Sequence, residues 1–274
     1  MDFSFSEEQT LLQDSIEKFI QNDYAFERRQ QIVQEEQGYS PDNWRTFAEL
    51  GWFGVPFAEA DGGFGGSAVE SMIMCEQFGK GLVVEPFLAT VVLSGRAVAI
   101  GGSAAQKQRY LNGVMDGSLQ GALAYAEPQG RFSLADLTTT ATADGDGFVL
   151  NGYKAVVLNG PAADFLVVSA RTSGGQRDTD GVSLFVVPTD TAGVSRRDYP
   201  TVDAFRASEI TFEAVKLGAD ALLGDLDKGL PVLEQVVDEG IVAVGSEAVG
   251  CMEVVYKATV VYCYERVRLG EPIG

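Results

Sequence analysis

The residue types best suited to hold a ligand gather in one stretch, AYAEPQGRFSLAD, from Ala124 to Asp136. "AYA" reads as the end of a buried strand and "EPQG" as turn chemistry. Arg131 and Phe132 then stand where the loop is most exposed. Such a loop, with a Pro, a Gly and a large cationic–aromatic pair, is either a ligand wall or a subunit contact. Other candidates carry less. Gly62-Gly-Phe-Gly-Gly66 resembles a phosphate cradle, but it follows no strand and has no P-loop Lys. A helix–helix loop is expected there. Glu7-Glu8 and Glu35-Glu36 read as solvated faces rather than metal ligands.

The 274-residue chain has no histidine. That removes His-based triads, His metal sites and His pH switches. Cys75, Cys251 and Cys263 form no CxxC pair and read as buried or inert thiols in a reducing compartment. The 39 acidic residues exceed the 20 basic ones, for a formal charge of −19. Phosphate backbones are met by clustered Lys and Arg, so nucleic acid is not an expected partner, and neither is an anionic membrane. The N-terminus lacks a basic, apolar leader pattern, and no apolar run is long enough for a span. A soluble cytoplasmic protein is expected.

The elements that must position these residues change period along the chain. Up to about residue 120 the apolar spacing is helical. Ser6-Glu-Glu-Gln9 predicts a capping box, with Leu12, Ile16, Phe19 and Ile20 following on one face. Pro41-Asp-Asn-Trp44 predicts a helix running to Leu50-Gly51. Ser67-Ala-Val-Glu70 predicts another capping box, and helices are expected over 86–100 and 103–116. From about 121 the period becomes two. Residues 138–143 alternate, Asp144-Gly-Asp-Gly147 reads as a tight turn, and 148–150 as a short strand. Asn151-Gly152 predicts a hairpin turn before 154–158 returns. Further strands are expected over 165–170, 182–187, 193–198 and 209–212. After Leu222-Leu-Gly224 the period is helical again. Its apolar residues, from Leu233 to Val261, are too many for one stripe, so this helix calls for partners on several sides, yet the sequence supplies none downstream and a sizeable apolar face is expected to be exposed. The expected class is α+β: an N-terminal all-α domain over 1–120, a middle antiparallel β barrel domain over 121–226, and the first helix of a C-terminal helical bundle over 227–274.

This order, and the motifs along it, resemble the acyl-CoA dehydrogenases. Residues 50–66, LGWFGVPFAEADGGFGG, resemble the family's helix end and P-E-x-x-G-G-x-G loop. Tyr125-Ala-Glu-Pro128 resembles its x-T-E-P strand end. Leu150-Asn-Gly-Tyr-Lys-Ala-Val-Val-Leu-Asn-Gly160 resembles L-N-G-x-K-x-W-I-T-N-G, at the family's spacing from Glu127. Leu222-Leu-Gly224 and Arg266-Val-Arg-Leu-Gly-Glu-Pro-Ile273 complete the series. The resemblance implies FAD, an acyl-CoA substrate dehydrogenated to the enoyl-CoA as in fatty acid metabolism, and an electron-transfer flavoprotein as electron acceptor. In the family the C-terminal helical domain continues well past the position of Gly274, so this chain is read as a fragment not expected to work alone; a natural end at Gly274 would instead favour a non-catalytic protein.

The resemblance places cofactor contacts at Tyr125, Ala126, Arg131, Phe132, Val156, Leu158 and Arg266. Several of these depart from the family pattern. Ala126 replaces a Thr whose hydroxyl bonds the flavin pyrimidine edge, leaving backbone N–H groups to serve. Arg131-Phe132-Ser133 replace G-S-D, so Arg131 is either a charge-assisted donor or a rim residue. Val156-Val157-Leu158 replace W-I-T and are either a ring cover or plain strand residues. Arg266 is either a cofactor contact or a solvated charge, with Leu269 where Phe is usual. Gly240 and Ile241 stand where some members carry the catalytic Glu and an Arg. Glu239 is one residue off, roughly 100° around a helix, so no catalytic residue is assigned. YAEPQGR and GYKAVVL particularly resemble the small subunits of two-component enzymes of the pimeloyl-CoA dehydrogenase type. The chain is therefore expected to be an oxidoreductase subunit in a homo- or hetero-oligomer with a paralogue, with FAD held by this subunit or jointly with its partner. The alternative is a non-catalytic acyl-CoA-binding or assembly subunit.

Overall fold

The computed structural model describes residues 4–269 and 271–274. The chain forms two compact units: residues 32–66 with 84–240, and the described parts of 1–31, 67–83 and 241–274.

The helices follow their caps. α1 (Glu7–Asp23) starts at Ser6, which takes the Gln9 N–H while the Gln9 side chain takes the Ser6 N–H. α2 (Phe26–Ile32) buries only Ile32. That is too little apolar period to be seen in the sequence, and no helix was expected there. α3 (Pro41–Glu49) has Pro at its first turn and is followed by Gly51 in the left-handed region, φ 76°. α4 (Ala68–Gly81) opens with the expected Ser67–Glu70 box. The run over 86–100 is a π-helical stretch, Leu88–Gly95, continued by α5 (Arg96–Gly101). The run over 103–116 comprises α6 (Ala104–Gln106), a π-helical Lys107–Leu111 and α7 (Asn112–Met115).

The sheet corrects two expectations. Its strands are β1 (Gly121–Ala124), β2 (Thr140–Asp144), β3 (Gly147–Leu158), β4 (Phe165–Arg171), β5 (Val182–Pro188), β6 (Val194–Pro200), β7 (Arg206–Leu217) and β8 (Leu222–Leu223). The order β6-β7-β3-β2-β4-β5-β8, with β1 added beside β4, is open rather than a closed barrel. It is also mixed: β1 runs parallel to β4 over Gly121–Ala124, and β2 meets β4 in parallel at Thr140 and Arg171. The α+β class stands. Leu150, Leu166, Val168, Phe185, Val187, Ile210 and Phe212 form the buried core of this sheet.

Asn151-Gly152 is not a hairpin turn. β3 runs straight through it, and the register against β7 slips between Leu150 and Gly152. The pair is a β-bulge. Asn151 Oδ1 accepts the Ala214 N–H of β7 at 2.8 Å, which fixes it. The real hairpin turn is Gly145-Asp146, between β2 and β3.

α8 (Leu230–Glu265) is a single 36-residue helix, followed by β9 (Val267–Arg268) and β10 (Glu271–Pro272). It meets α4 backbone to backbone. A Cβ on Gly79 would strike the Glu247 carbonyl, and one on Gly250 the Glu76 carbonyl. Lys80 Nζ closes the crossing on Glu253 at 2.8 Å. Within this chain much of the helix is left uncovered, as expected where no downstream partner is supplied. Ile241, Val244, Val249, Met252 and Val255 are exposed, because apolar residues run round the whole circumference while α4 packs on one side.

Candidate functional site

The site grows from a buried ion pair. Lys154 lies on β3 and Glu127 just past β1, and both side chains are fully buried, Nζ to Oε1 2.7 Å. Lys154 also donates to the Tyr125 carbonyl at 3.3 Å and to Ser169 Oγ on β4 at 3.1 Å. Glu127 Oε2 accepts from the Thr138 N–H and hydroxyl and from Gln129 Nε2, and Oε1 from the Thr139 N–H. Burial alone would push the Glu127 carboxyl up. The Lys154 ammonium and the Thr138 donors overcome this and hold it at about 2. Burial pulls Lys154 down to about 8 against the upward pull of Glu127, so it remains an ammonium at neutral pH. One carboxylate thus ties the strand end, both feet of the 128–137 loop and β3 to a single point. Period-two alternation could have flagged Lys154, since its place in the strand is an inward one.

Above this hub lies an exposed surface. Tyr125 and Ala126 are half-buried. The Ala126 carbonyl accepts the Ala155 N–H at 2.9 Å, which brings the strand end against β3. The Ala126 N–H has no protein acceptor among the described residues. Beside Ala155, Val156 sits at a second register slip, between Lys154 and Val157, with φ 51° and a side chain 54% exposed. A β-branched residue is strained in the left-handed region. Leu158, half-buried, ends the strand opposite Ala207. On the loop, Arg131 is also left-handed, φ 48°, and Phe132 is fully exposed. Arg131 stands where the resembling motif has Gly, so the left-handed backbone persists without the residue that adopts it freely.

The structure thus brings Tyr125, Ala126 and Val156 together at the strand end. Leu158 sits further along β3, and Arg131 and Phe132 on the loop that the hub anchors. Arg266 belongs to the other unit, exposed, with its guanidinium carbon 5.9 Å from the Tyr262 ring. Glu239 is engaged elsewhere. Arg96 grips it through Nε at 2.7 Å and Nη2 at 3.0 Å, and Gln235 donates to it as well. A Cβ on Gly240 would lie 2.7 Å from Leu93 Cδ2, so this position is packed against a side chain.

The glycine loop is no cradle. The N–H groups of Gly63, Phe64, Gly65 and Gly66 are spent on the carbonyls of Ala58, Gly54, Phe57 and Val55. Cys75 is buried and its thiol is pushed up by burial, so it is inert. Among the described residues no cluster of His, Cys, Asp and Glu could hold a metal ion, and no helix is long and apolar enough to cross a membrane.

Comparison with known proteins gives a consistent result. Residues 6–118 match the model of the acyl-CoA dehydrogenase N-terminal domain, and residues 122–215 that of the middle domain. The probable acyl-CoA dehydrogenase YngJ of Bacillus subtilis is 29% identical over the full chain and 73% of its own length. The caffeyl-CoA reductase-Etf complex subunit CarC of Acetobacterium woodii is 26% identical over 98% of this chain and 72% of its own. The structure of butyryl-CoA dehydrogenase from Megasphaera elsdenii superposes over the full chain and 73% of its own, with a TM-score of 0.90 at 26% identity.

Proposed function

We propose, from the premise that the chain belongs to the acyl-CoA dehydrogenase family, that it is the flavin-side subunit of an acyl-CoA dehydrogenase acting in an oligomer. The reaction is α,β-dehydrogenation of an acyl-CoA thioester to the enoyl-CoA. The domain division at 120 and 226, the cytoplasmic location and the place in fatty acid metabolism belong to the same proposal.

One observation carries it. The strand-end surface offers, at Ala126, an N–H with no acceptor among the described residues, beside a small side chain and the apolar, left-handed Val156. Strained non-glycine residues persist where surrounding structure over-determines them, and they cluster at ligand sites. The residues present fit a flat, apolar ring with a polar edge. FAD, when bound, supplies the hydride acceptor. Ala126 would offer its backbone N–H to the polar edge, Val156 and Leu158 would exclude water from one face, and Arg131 would donate to an anionic group. Glu127 is fully engaged beneath the strand end and holds no proton for transfer at neutral pH. With Glu239 locked by Arg96, the α-proton acceptor comes from elsewhere in the assembled enzyme. A flavoprotein electron acceptor is supported by the relative whose name places it in an Etf complex.

The second reading is a non-catalytic acyl-CoA-binding or assembly subunit, favoured by the fully exposed Phe132. Colour separates the two. A yellow protein, alone or co-expressed with a larger paralogue, whose flavin bleaches on adding an acyl-CoA supports the first. A protein that stays colourless under both conditions leaves the second.

A further inference from the structure

The loop bearing Arg131 and Phe132 has a second anchor that the hub does not explain. β4 changes neighbour along its length, pairing with β1 over Phe165–Val168 and with β2 only at Arg171. The 125–139 loop is the chain that leaves one of these strands and returns in the other. Arg171 stands at the point of return. Its backbone N–H donates to the Thr139 carbonyl at 2.8 Å.

Its side chain, 6% exposed, reaches four carbonyls. Nη2 donates to Ala135 at 2.5 Å and Gln176 at 3.0 Å, and Nη1 to Asp178 at 2.9 Å and Asp180 at 2.7 Å. Every terminal N–H of the guanidinium is thus spent on backbone, across two loops. Its Nε is buried without a protein partner among the described residues. A lone buried donor is unfavourable, so the fork is held for what its terminal nitrogens do. Asp136, also buried, extends the seam by accepting from Gln176 Nε2 at 2.6 Å and Arg177 Nε at 2.7 Å.

We infer that Arg171 is a positioning residue that locks the loop carrying Arg131 and Phe132 in the form that meets the flavin. The inference rests on the proposed function for its ligand, and on geometry alone for its loop. Lys cannot reproduce the fork, since an ammonium has three donors and no fixed plane.

Trypsin reads the loop directly, because the Arg131–Phe132 bond is a cleavage site in an exposed segment. Proteolysis of a transiently opened loop tracks the population of its open form. Losing charge-assisted bonds to Ala135 and Gln176 raises that population by at least ~10-fold. Arg171→Lys should therefore be cut after Arg131 at least ~10-fold faster than the parent, with cleavage unchanged at exposed basic residues outside the two loops that the fork joins. Its FAD affinity, followed by flavin fluorescence, should fall ~10-fold, a change that 1.4 kcal/mol produces. The long-wavelength flavin band should move toward that of free FAD. Asp136→Asn, which retains one partner pair, should show the same pattern more weakly and serves if Arg171→Lys fails to fold. Unchanged cleavage after Arg131, or faster cleavage at every site alike, overturns the inference. Faster cleavage with unchanged FAD affinity overturns it too. If the parent protein takes no FAD under any condition, the proposed function falls instead, and cleavage alone decides whether Arg171 sets the loop.

Discussion

The two sides of the strand end at residues 124–127 differ in what they keep. Inward, Glu127 and Lys154 form a fully buried pair whose partners are all accounted for. Outward, Ala126, Arg131, Phe132 and Val156 replace the residues of the resembling family motif, and two of them hold strained left-handed backbone. The inward side is constrained by burial, because an unpaired charge there would be ruinous. The outward side is constrained only by what docks on it. A subunit can lose ligand-facing side chains, or exchange them, without losing the fold that presents them.

The strongest way to break this comparison is to unpair the inward side. Lys154→Met leaves the buried Glu127 charge without its cation, and should lose about 3–5 kcal/mol in urea unfolding. The double variant Glu127→Gln/Lys154→Met should recover most of that loss. If the single variant unfolds like the parent, the hub does not hold the site. The pair also fixes a pH dependence. The folded carboxyl of Glu127 is held below its unfolded value of about 4.3. Its contribution is therefore present above that value and is lost as pH falls toward about 2. Urea midpoints from pH 6 to 2.5 should fall more steeply for the parent than for the double variant.

The outward side should answer with opposite signs. Val156→Gly relieves a left-handed β-branched residue and should raise stability by about 1 kcal/mol, while weakening FAD binding in a fluorescence titration. A loss of both would show that Val156 serves packing. Arg131→Ala should leave stability within about 0.5 kcal/mol. If Arg131 meets an anionic group, FAD affinity falls about 10-fold and the loss shrinks in high salt. Unchanged affinity makes Arg131 a rim residue. The smallest effect belongs to Ala126→Thr, which restores a hydroxyl and should tighten FAD by a few-fold, or about 1 kcal/mol at most.

Much of the fold was legible because its signals are local. Ser6, Ser67 and Pro41 mark helix starts through bonds and angles made within one turn, and each helix begins where they say. Asn151-Gly152 misled for the same reason. The dipeptide is compatible with a hairpin turn and equally with a bulge, and what decides between them is β7, more than fifty residues away, which donates the Ala214 N–H. α2 was invisible because it buries one residue. The site was legible as a stretch of chain, from Tyr125 to Phe132, but its supports were not. Arg171 reads as an ordinary strand-end charge, and nothing around it in sequence names Ala135 as its partner.

By itself the sequence determined the order of helical and extended segments, the caps and the motifs that mark the family, since periodicity and capping depend on neighbours a few residues apart. Tertiary structure decided that the sheet stays open and mixed, that Glu127 and Lys154 meet beneath the strand end, and that Arg131 and Val156 keep backbone forms their side chains disfavour. Those outcomes depend on long-range partners and on burial, which set the cost of every unpaired charge and are properties of the packed chain alone.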